Sequence, residues 1–238
     1  MGRAFEVRKA AMAKTSAAKT KVYSRFGKEI YVAAKQGEPD PEMNVTLRRI
    51  IEKAKAAQVP SDIIKRAIDK AKGNENTSYT EVRYEGYGPG ASNVIVECLS
   101  DNVNRTYAEV RNCFNKNQGK LGVLNSVVFL YDHVGSLLFA HDDEEAILEA
   151  CIEADVEVTD IETQEGKINL LVAPSDLYKA KEAIEAQIGE VEFEGLETTF
   201  LPQVEVSLNN EDQLAFDRLL AMLDEVDDVQ NVVHNVKL

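Results

Sequence analysis

The sequence predicts an α+β fold in which an N-terminal helical bundle precedes two α+β domains of the βαββαβ, ferredoxin-like type. Three observations predict it. Apolar residues recur at helical spacing through the first third of the chain, and helices and strands then alternate. The stretch 136–200 has the element order βαββαβ. The elements on its two sides give the same order when they are joined, which predicts that the third domain is inserted in the second.

The first third of the chain is predicted to form three helices. The breaks between them fall near Gly37 and at Pro60, and Gly73 ends the last helix. Asp40 is predicted to cap the second helix, because a Pro-Glu pair that suits a helix start follows it. Ser61 is predicted to cap the third. The apolar stripes are Val22, Phe26, Ile30 and Ala33; Leu47, Ile50, Ile51 and Ala54; and Ile63, Ile64, Ala67 and Ile68.

Helices and strands alternate from Tyr79 onward. Asp142, with Glu145 three residues later, is predicted to form a capping box for one of the helices. The predicted strands are EVRYEGY, 93–100, 124–131, SLLFA, VEVTDIET, KINLLV, EVEFEGLETTF, 203–207 and 229–236, and the predicted helices are 102–118, 143–154, 175–188 and 210–224. The domains predicted from this order are 1–76, 77–132 plus 202–238, and 133–201.

Charge is divided unevenly along the chain. The net charge is −14, yet residues 1–76 hold 17 Lys and Arg against 9 Asp and Glu. Residues 77–238 hold 10 basic residues against 32 acidic ones. A basic segment joined to an acidic body is typical of a module that faces nucleic acid. Dense positive charge binds phosphate without any fixed spacing, so the basic residues are the first candidates for a binding site.

The candidate nucleic-acid contacts form two groups. The first group is Arg3, Arg8, Lys9, Lys14, Lys19, Lys21, Arg25 and Lys28. The alternative interpretation of this group is a solvated face of a basic helix. The second group, Asn104, Arg105, Thr106 and Arg111, could extend the track, and the alternative there is ordinary charge on a helix surface.

The three glycines of RYEGYGPGASN raise the question of a phosphate-binding loop. A dinucleotide fingerprint needs G-x-G-x-x-G at the start of a helix, and a P-loop needs a Lys after its glycines. GYGPG has neither, and a strand follows it. We therefore expect a turn between strands in which Pro89 sets the bend. Tyr84 and Tyr87 could stack on a base, but ordinary packing is the simpler interpretation.

Catalytic and metal-binding signatures are not found in the sequence. His133, His141 and His234 lie far apart, and the HDDEE run at 141–145 suits a helix N-terminus, which favours carboxylates. No local nucleophile motif occurs. The acidic runs EADVEVTDIE and DEVDD are predicted to be solvated faces. We therefore expect no enzyme activity, no metal, no cofactor and no small-molecule substrate.

The composition also bears on location. No apolar run reaches the roughly 18 residues that span a bilayer, and no secretory signal is found. Residues 1–26 resemble a mitochondrial transit peptide only loosely, and Glu6 favours mature structure. The widely spaced Cys98, Cys113 and Cys151 predict reduced, mostly buried thiols. We expect a cytoplasmic protein that does not bind membranes.

Four stretches resemble the YebC/PmpR family over most of the chain, from about Lys21 onward. They are GKEIYVAAKQGEPDPEMN, AKAAQVPSDIIKRAIDKAKG, RYEGYGPGASNVIVECLSDNVNRTYAEVR and NSVVFLYDHVG. The resemblance implies three domains, the third inserted in the second, and no catalytic activity. It implies a transcriptional regulator that binds promoter DNA. The alternative that it leaves open is a ribosome-associated translation factor that contacts ribosomal RNA or tRNA and relieves stalling at proline-rich stretches.

The start of the chain departs from the family pattern. GRAFEVRKAAM stands where members have GHSKWANIKHRK, so the Trp and both His residues of that motif are replaced, which resembles the YeeN-like subgroup. The basic Arg3, Arg8 and Lys9 remain. Asn102 and the 104–106 triplet match the family signature and carry over as candidate functional positions. Our prediction is a monomeric, non-enzymatic nucleic-acid-binding regulator with DNA as its target.

Overall fold

The computed structural model describes residues 17–73 and 77–237, and side chains from residue 20 onward. The described chain is α+β, as the sequence predicted. It divides into two compact units. One, which we call the inserted unit, is Leu130–Val204. The other, which we call the second unit, combines the described residues before 130 with 205–237. Because the inserted unit interrupts the chain of the second unit, the predicted insertion is confirmed. The boundary of a separate domain at residue 76 stays a prediction.

Three helices form the start of the described chain: α1 (Ala17–Gln36), α2 (Val45–Ala56) and α3 (Ser61–Lys72). The predicted stripes supply their shared core. Its fully buried members include Ile30 on α1 and Leu47 and Ala54 on α2, and Ile64 on α3 also lies in it. Apolar side chains at helical spacing are thus removed from water on one face of each helix, which stabilises helices of this length.

The prediction that Asp40 caps the second helix is wrong, because Asn44 takes that position. The Asn44 side chain accepts a hydrogen bond from the Leu47 amide at 3.0 Å. Its amide nitrogen donates to the carbonyls of Ala33 and Glu38, both at 2.9 Å. One side chain therefore satisfies the end of α1 and the start of α2 together.

Two other predicted caps also move by one residue. Ser61 is the first residue of α3, and Pro60 precedes it without a side-chain cap. The helix predicted over 143–154 begins at Glu144, and its cap is Asp143 rather than Asp142. The Asp143 side chain accepts from the Ala146 amide at 3.0 Å. Cap positions depend on local backbone angles that composition does not reveal.

The second unit continues with β1 (Thr80–Tyr87), β2 (Asn93–Ser100), α4 (Val103–Lys116) and the short β3 (Lys120–Leu121). Strands β1 and β2 form an antiparallel hairpin, with Tyr87 opposite Asn93 at its closed end. The strand β2 is buried on both faces, since Val94, Ile95 and Val96 are all fully buried.

The strand predicted over 124–131 is wrong. Residues 124–127 form a turn, and a 3₁₀ turn follows at Val128–Leu130. The cause is Glu85, which is 1% exposed and accepts the backbone amides of Asn125, Val127 and Val128 at 2.7–3.0 Å. These amides cannot then donate to a sheet. Burial raises the pKa of Glu85, but the three amides outweigh it and the pKa is lowered.

The inserted unit contains β4 (Tyr131–Ala140), α5 (Glu144–Glu153), β5 (Val158–Gln164), β6 (Lys167–Val172), α6 (Leu177–Ile188) and β7 (Phe193–Pro202). The segment predicted as the strand SLLFA is the second half of β4. The strand order is β5-β6-β4-β7 and every neighbouring pair is antiparallel. This is the predicted ferredoxin-like arrangement, and its helices cover a core that includes Phe139, Ile147 and Ile184.

The chain then returns to the second unit with α7 (Asn210–Asp224) and β8 (Val229–His234). The completed sheet has the order β3-β1-β2-β8, with β8 antiparallel to β2. Helices α4 and α7 pack on it through a core that includes Phe114, Phe216 and Leu219. The strand predicted over 203–207 is wrong, because only Val206 in that segment pairs, in an isolated bridge to Val236.

Candidate nucleic-acid interface

Helix α1 presents three of the candidate cations, Lys21, Arg25 and Lys28, to an acidic segment of the same unit. The spacing of four and three residues places these cations on one face of a helix. The facing segment joins α7 to β8 and comprises residues 224–228, with the sequence DEVDD. We call it the acidic turn.

Two of the cations share one carboxylate. Lys21 Nζ lies 3.0 Å from Asp224 Oδ2 and 2.9 Å from Glu225 Oε1. Arg25 Nη2 lies 2.9 Å from Asp224 Oδ1. The bond to Glu225 is the largest influence on Lys21 and raises its pKa. Burial raises the pKa of Asp224, but the bonds from Lys21 and Arg25 outweigh it and lower that pKa.

The third cation binds a buried carboxylate. Lys28 Nζ lies 2.9 Å from Asp228 Oδ1, and the Asp228 side chain is 3% exposed. The other oxygen, Oδ2, lies 2.6 Å from Thr106 Oγ1 and 2.7 Å from Arg105 Nη2. Ser100 Oγ donates to it at 3.2 Å. Asp228 therefore joins α1, the end of β2 and the start of α4.

The environment of Asp228 keeps its carboxylate ionised. Burial raises its pKa, but hydrogen bonds from Thr106, Lys28 and Arg105 outweigh that effect and bring the pKa to about 2. A carboxylate that accepts several hydrogen bonds in its charged form prefers that form. At neutral pH Asp228 is thus a permanent anion and a poor proton acceptor.

The second candidate group surrounds this carboxylate in part. Asn102 caps α4, because its side chain accepts from the Arg105 amide at 3.2 Å. Arg105 is shared between Asp228 and Asp101, each at 2.7 Å. Thr106 is fully buried, so it has no surface that a nucleic acid could touch in this conformation. Its hydroxyl serves to hold Asp228.

The remaining candidate residues do not lie in the cluster around the acidic turn. Asn104 and Arg111 are exposed on α4. The candidates that lie outside the described residues are Arg3, Arg8, Lys9 and Lys14, and the Lys19 side chain also lies outside them. The structure therefore brings together Lys21, Arg25, Lys28, Arg105 and Thr106, and it pairs them with acids.

A cleft of about 660 Å³ opens between α1, α4 and the acidic turn. Its charged lining includes Lys28, Arg105, Asp101, Glu109 and Glu225. Because the two cations already bind carboxylates, the cleft has an excess of negative charge. It is suited to repel phosphate rather than to hold it.

The expectation that DEVDD is a solvated face holds for Glu225 and Asp227, which are exposed, and is wrong for Asp228, which is buried. Sequence reasoning missed the paired acids of this run as partners of the candidate cations. One signal was available. Val226 and Val229 flank Asp227 and Asp228, and both valines are buried in the core. An acid next to core residues at the start of a strand is held close to that core.

The GYGPG segment is a turn, as predicted. The Gly88 amide donates to the Ser92 carbonyl at 3.0 Å, and the Ser92 hydroxyl donates to the Pro89 carbonyl at 2.7 Å. Gly90 has a φ of +63°, a conformation that favours glycine. Tyr84 and Tyr87 are engaged locally, since their hydroxyls donate to the carbonyls of Val103 and Ser126.

The structure also shows the surroundings of the cysteines and of the HDDEE run. Cys98, Cys113 and Cys151 are buried free thiols, as predicted, and burial raises the pKa of Cys98 to about 12. In the HDDEE run, Asp143 caps α5 and His141 Nδ1 accepts a hydrogen bond from the Asp143 amide.

Within residues 17–73 and 77–237, no helix has the length and hydropathy to cross a bilayer. The same residues contain no cluster of three metal-binding side chains.

Comparison with known proteins covers nearly the whole chain. Residues 3–74 match the family model described as the TACO1/YebC protein N-terminal domain. Residues 79–236 match the model described as the TACO1/YebC second and third domain. The YeeN-like subgroup stays a prediction.

Curated relatives and a solved structure agree with these matches. A probable transcriptional regulatory protein of Pseudoalteromonas translucida is 52% identical and covers 99% of this chain and 98% of its own. One from Alcanivorax borkumensis is 50% identical over the full length of both chains. The crystal structure of a conserved hypothetical protein from Aquifex aeolicus has a TM-score of 0.77 at 37% identity and covers 94% of this chain and 92% of its own. The chain belongs to the TACO1/YebC family.

Proposed function

We propose that the protein is a cytoplasmic, monomeric, non-enzymatic regulator that binds nucleic acid, with DNA as its target, through a domain of residues 1–76. The names of the relatives support regulation of transcription. The contacts that we propose are the two candidate groups, with the cations Arg3, Arg8, Lys9, Lys14 and Lys19 of the first group as the principal ones. Thr106 has an indirect role through Asp228.

The observation that carries the proposal is the separation of charge. The first 76 residues have an excess of basic side chains, and the remainder of the chain is strongly acidic. On α2 and α3, Lys55, Lys65 and Lys72 are exposed and form no ion pair with any part of the chain that the structure describes. Such lysines can release counterions from a phosphate backbone on binding.

The chemistry of the cleft supports a non-enzymatic role. A general base is most effective when its pKa lies near the working pH. Asp228, with a pKa of about 2, lies far below that range. Its charge is balanced by Lys28 and Arg105, so the cluster is suited to fixing structure rather than to transferring protons.

A salt titration of the full-length protein tests the proposal. Fluorescence anisotropy would measure the affinity for labelled duplex DNA and for structured RNA between 50 and 300 mM salt. For about four phosphate contacts, log K should fall against log salt with a slope of about −3.6 on duplex and about −2.8 on single strands. The variant Arg8→Ala, Lys9→Ala, Lys14→Ala, Lys19→Ala should flatten the slope and weaken binding to all sequences about equally, since phosphate contacts carry no sequence information.

A matched variant controls for net charge. Lys120, Lys167, Lys179 and Lys237 lie outside the first 76 residues, and their replacement by Ala should leave the slope unchanged. A slope near zero in the unchanged protein would contradict nucleic-acid binding. A DNA regulator should prefer its own site over random duplex by about a thousandfold or more. Stronger binding to structured RNA, with co-sedimentation of the protein with ribosomes, would favour the translation factor instead.

A further inference from the structure

The side chains of Asp224 and Glu225 occupy cations that the proposed function assigns to phosphate. We propose that this part of the acidic turn is an autoinhibitory contact, in which two carboxylates compete with nucleic acid for Lys21 and Arg25. The inference rests on the proposed function, because it concerns the regulation of the same basic surface.

The geometry of the contact resembles that of a phosphate on the same cations. Both oxygens of Asp224 are used, one by Lys21 at 3.0 Å and one by Arg25 at 2.9 Å. These lengths are close to those of charge-assisted hydrogen bonds to a phosphate oxygen. A phosphate could accept the same two donors, so binding of one anion excludes binding of the other.

The ion pairs of the acidic turn differ in how exposed they are. The exposed pairs can be replaced by nucleic acid, and the buried pair holds the turn in place. The side chains of Asp224 and Glu225 are 44% and 78% exposed. Exposed ion pairs are individually weak, so a polyanion can replace them. The Asp228 side chain is 3% exposed and also binds Thr106 and Arg105. This buried carboxylate keeps the acidic turn beside α1 while the outer pairs exchange.

Other carboxylates near the acidic turn repel phosphate without competing for Lys21 and Arg25. The test must distinguish this repulsion from direct competition. Asp101 and Glu109 line the adjacent cleft. The Asp227 side chain is exposed and, within the described residues, forms no ion pair. It lies in the same turn as Asp224, so Asp227→Asn removes the same charge from nearly the same place without breaking an ion pair.

The experiment compares nucleic-acid affinity among charge variants of the full-length protein at 100 mM salt. The probes are one labelled 20-base-pair duplex and one labelled RNA hairpin. Asp224→Asn frees Arg25 and leaves Lys21 with Glu225 as its one remaining carboxylate partner in the acidic turn. It should raise the affinity about three- to tenfold, as expected for the loss of two partly exposed pairs. Asp227→Asn should change it less than about twofold, since Asp227 binds neither Lys21 nor Arg25 and contributes only a repulsion that salt weakens. Glu225→Gln, at the more exposed of the two paired acids, should give a smaller gain than Asp224→Asn.

A double-mutant cycle tests whether Asp224 acts through the cations it binds. In a Lys21→Gln, Arg25→Gln background, Asp224→Asn should change the affinity less than about twofold, because the freed donors are missing. Equal gains from Asp224→Asn and Asp227→Asn would overturn autoinhibition while leaving the proposed function intact. No measurable binding of either probe by any variant would instead refute the proposed function. Thermal unfolding of each variant verifies that it is folded.

Discussion

Asp228 receives polar contacts from α1, the end of β2 and the start of α4. Its carboxylate binds Lys28, Arg105 and Thr106, and its backbone carbonyl accepts the Leu99 amide at 2.8 Å. Removing one partner of a buried ion pair leaves the other charges without compensation. The stability of this unit should therefore depend strongly on this one carboxylate.

We predict that Asp228→Asn lowers the free energy of unfolding by about 2 to 3 kcal/mol at pH 7. The pKa of Asp228 is about 2 in the folded protein against an ordinary value of 3.8. A lowered pKa means that the stabilisation is fully present above about pH 4 and is lost as the pH falls toward 2.

Urea unfolding at pH 7 and at pH 3 would measure this effect. The difference between the variant and the unchanged protein should be about half as large at pH 3. Asp227→Asn, the exposed neighbour, should have little effect at either pH. A difference for Asp228→Asn that does not vary with pH would show that the carboxylate charge is not the cause.

Residue-scale features divide into those that the sequence predicts and those that it does not. Lys21, Arg25 and Lys28 could be identified as candidates because their charge is visible in the sequence. Their acidic partners could not, since Lys21 and Asp224 are separated by 203 positions. An ion pair between distant residues leaves no periodic or compositional signal near either one.

At the scale of elements, glycines in regular structure show how packing decides the effect of one methyl group. A Cβ on Gly86 in β1 would lie 2.6 Å from a ring carbon of Phe114, which is fully buried. A Cβ on Gly27 in α1 would meet nothing within 4 Å. The same substitution should therefore have opposite effects at the two positions.

We predict that Gly86→Ala destabilises the protein by about 1 to 3 kcal/mol, because the added methyl overfills a packed core. Gly27→Ala should instead stabilise it by about 0.5 to 1 kcal/mol, because alanine restricts the unfolded chain and favours a helix. Urea unfolding measures both, and each variant is the control for the other. The same sign for both substitutions would contradict this account.

The elements that the sequence predicted well are those in which apolar residues recur at regular helical spacing. The apolar stripes of α1, α2 and α3 repeat over several turns, so tertiary contacts only reinforce them. The segment 124–131 is apolar enough for a strand, but the buried Glu85 captures its amides. A side chain about 40 positions earlier thus overrides the local preference, and no window of sequence contains both.

At the scale of the whole molecule, the chain enters and leaves the inserted unit at adjacent points. Tyr131 on β4 is opposite Pro202 on β7, and the Gln203 amide donates to the Leu130 carbonyl at 3.0 Å. The unit has its own core beneath its sheet. Neither property requires the rest of the chain. The element order predicted this ferredoxin-like unit. The sheet of the second unit was only partly predicted, because the strands expected over 124–131 and 203–207 do not form.

We predict that residues 130–204 fold when they are produced alone. Circular dichroism should show mixed helix and strand content and a cooperative thermal transition, since the unit retains its complete sheet and core. A fragment 130–189, which lacks β7, is the matched control and should not fold, because β4 then loses its partner on one side. A fragment 130–204 without a cooperative transition would contradict the prediction.

The long separation between α1 and the acidic turn has a consequence during protein synthesis. The chain is made from its N-terminus, and domains fold as they emerge. Helix α1 is synthesised about 200 residues before Asp224 and Asp228 are added. Through most of translation its lysines and arginine therefore have no carboxylate from the acidic turn, and the nascent chain is more basic on this face than the finished protein.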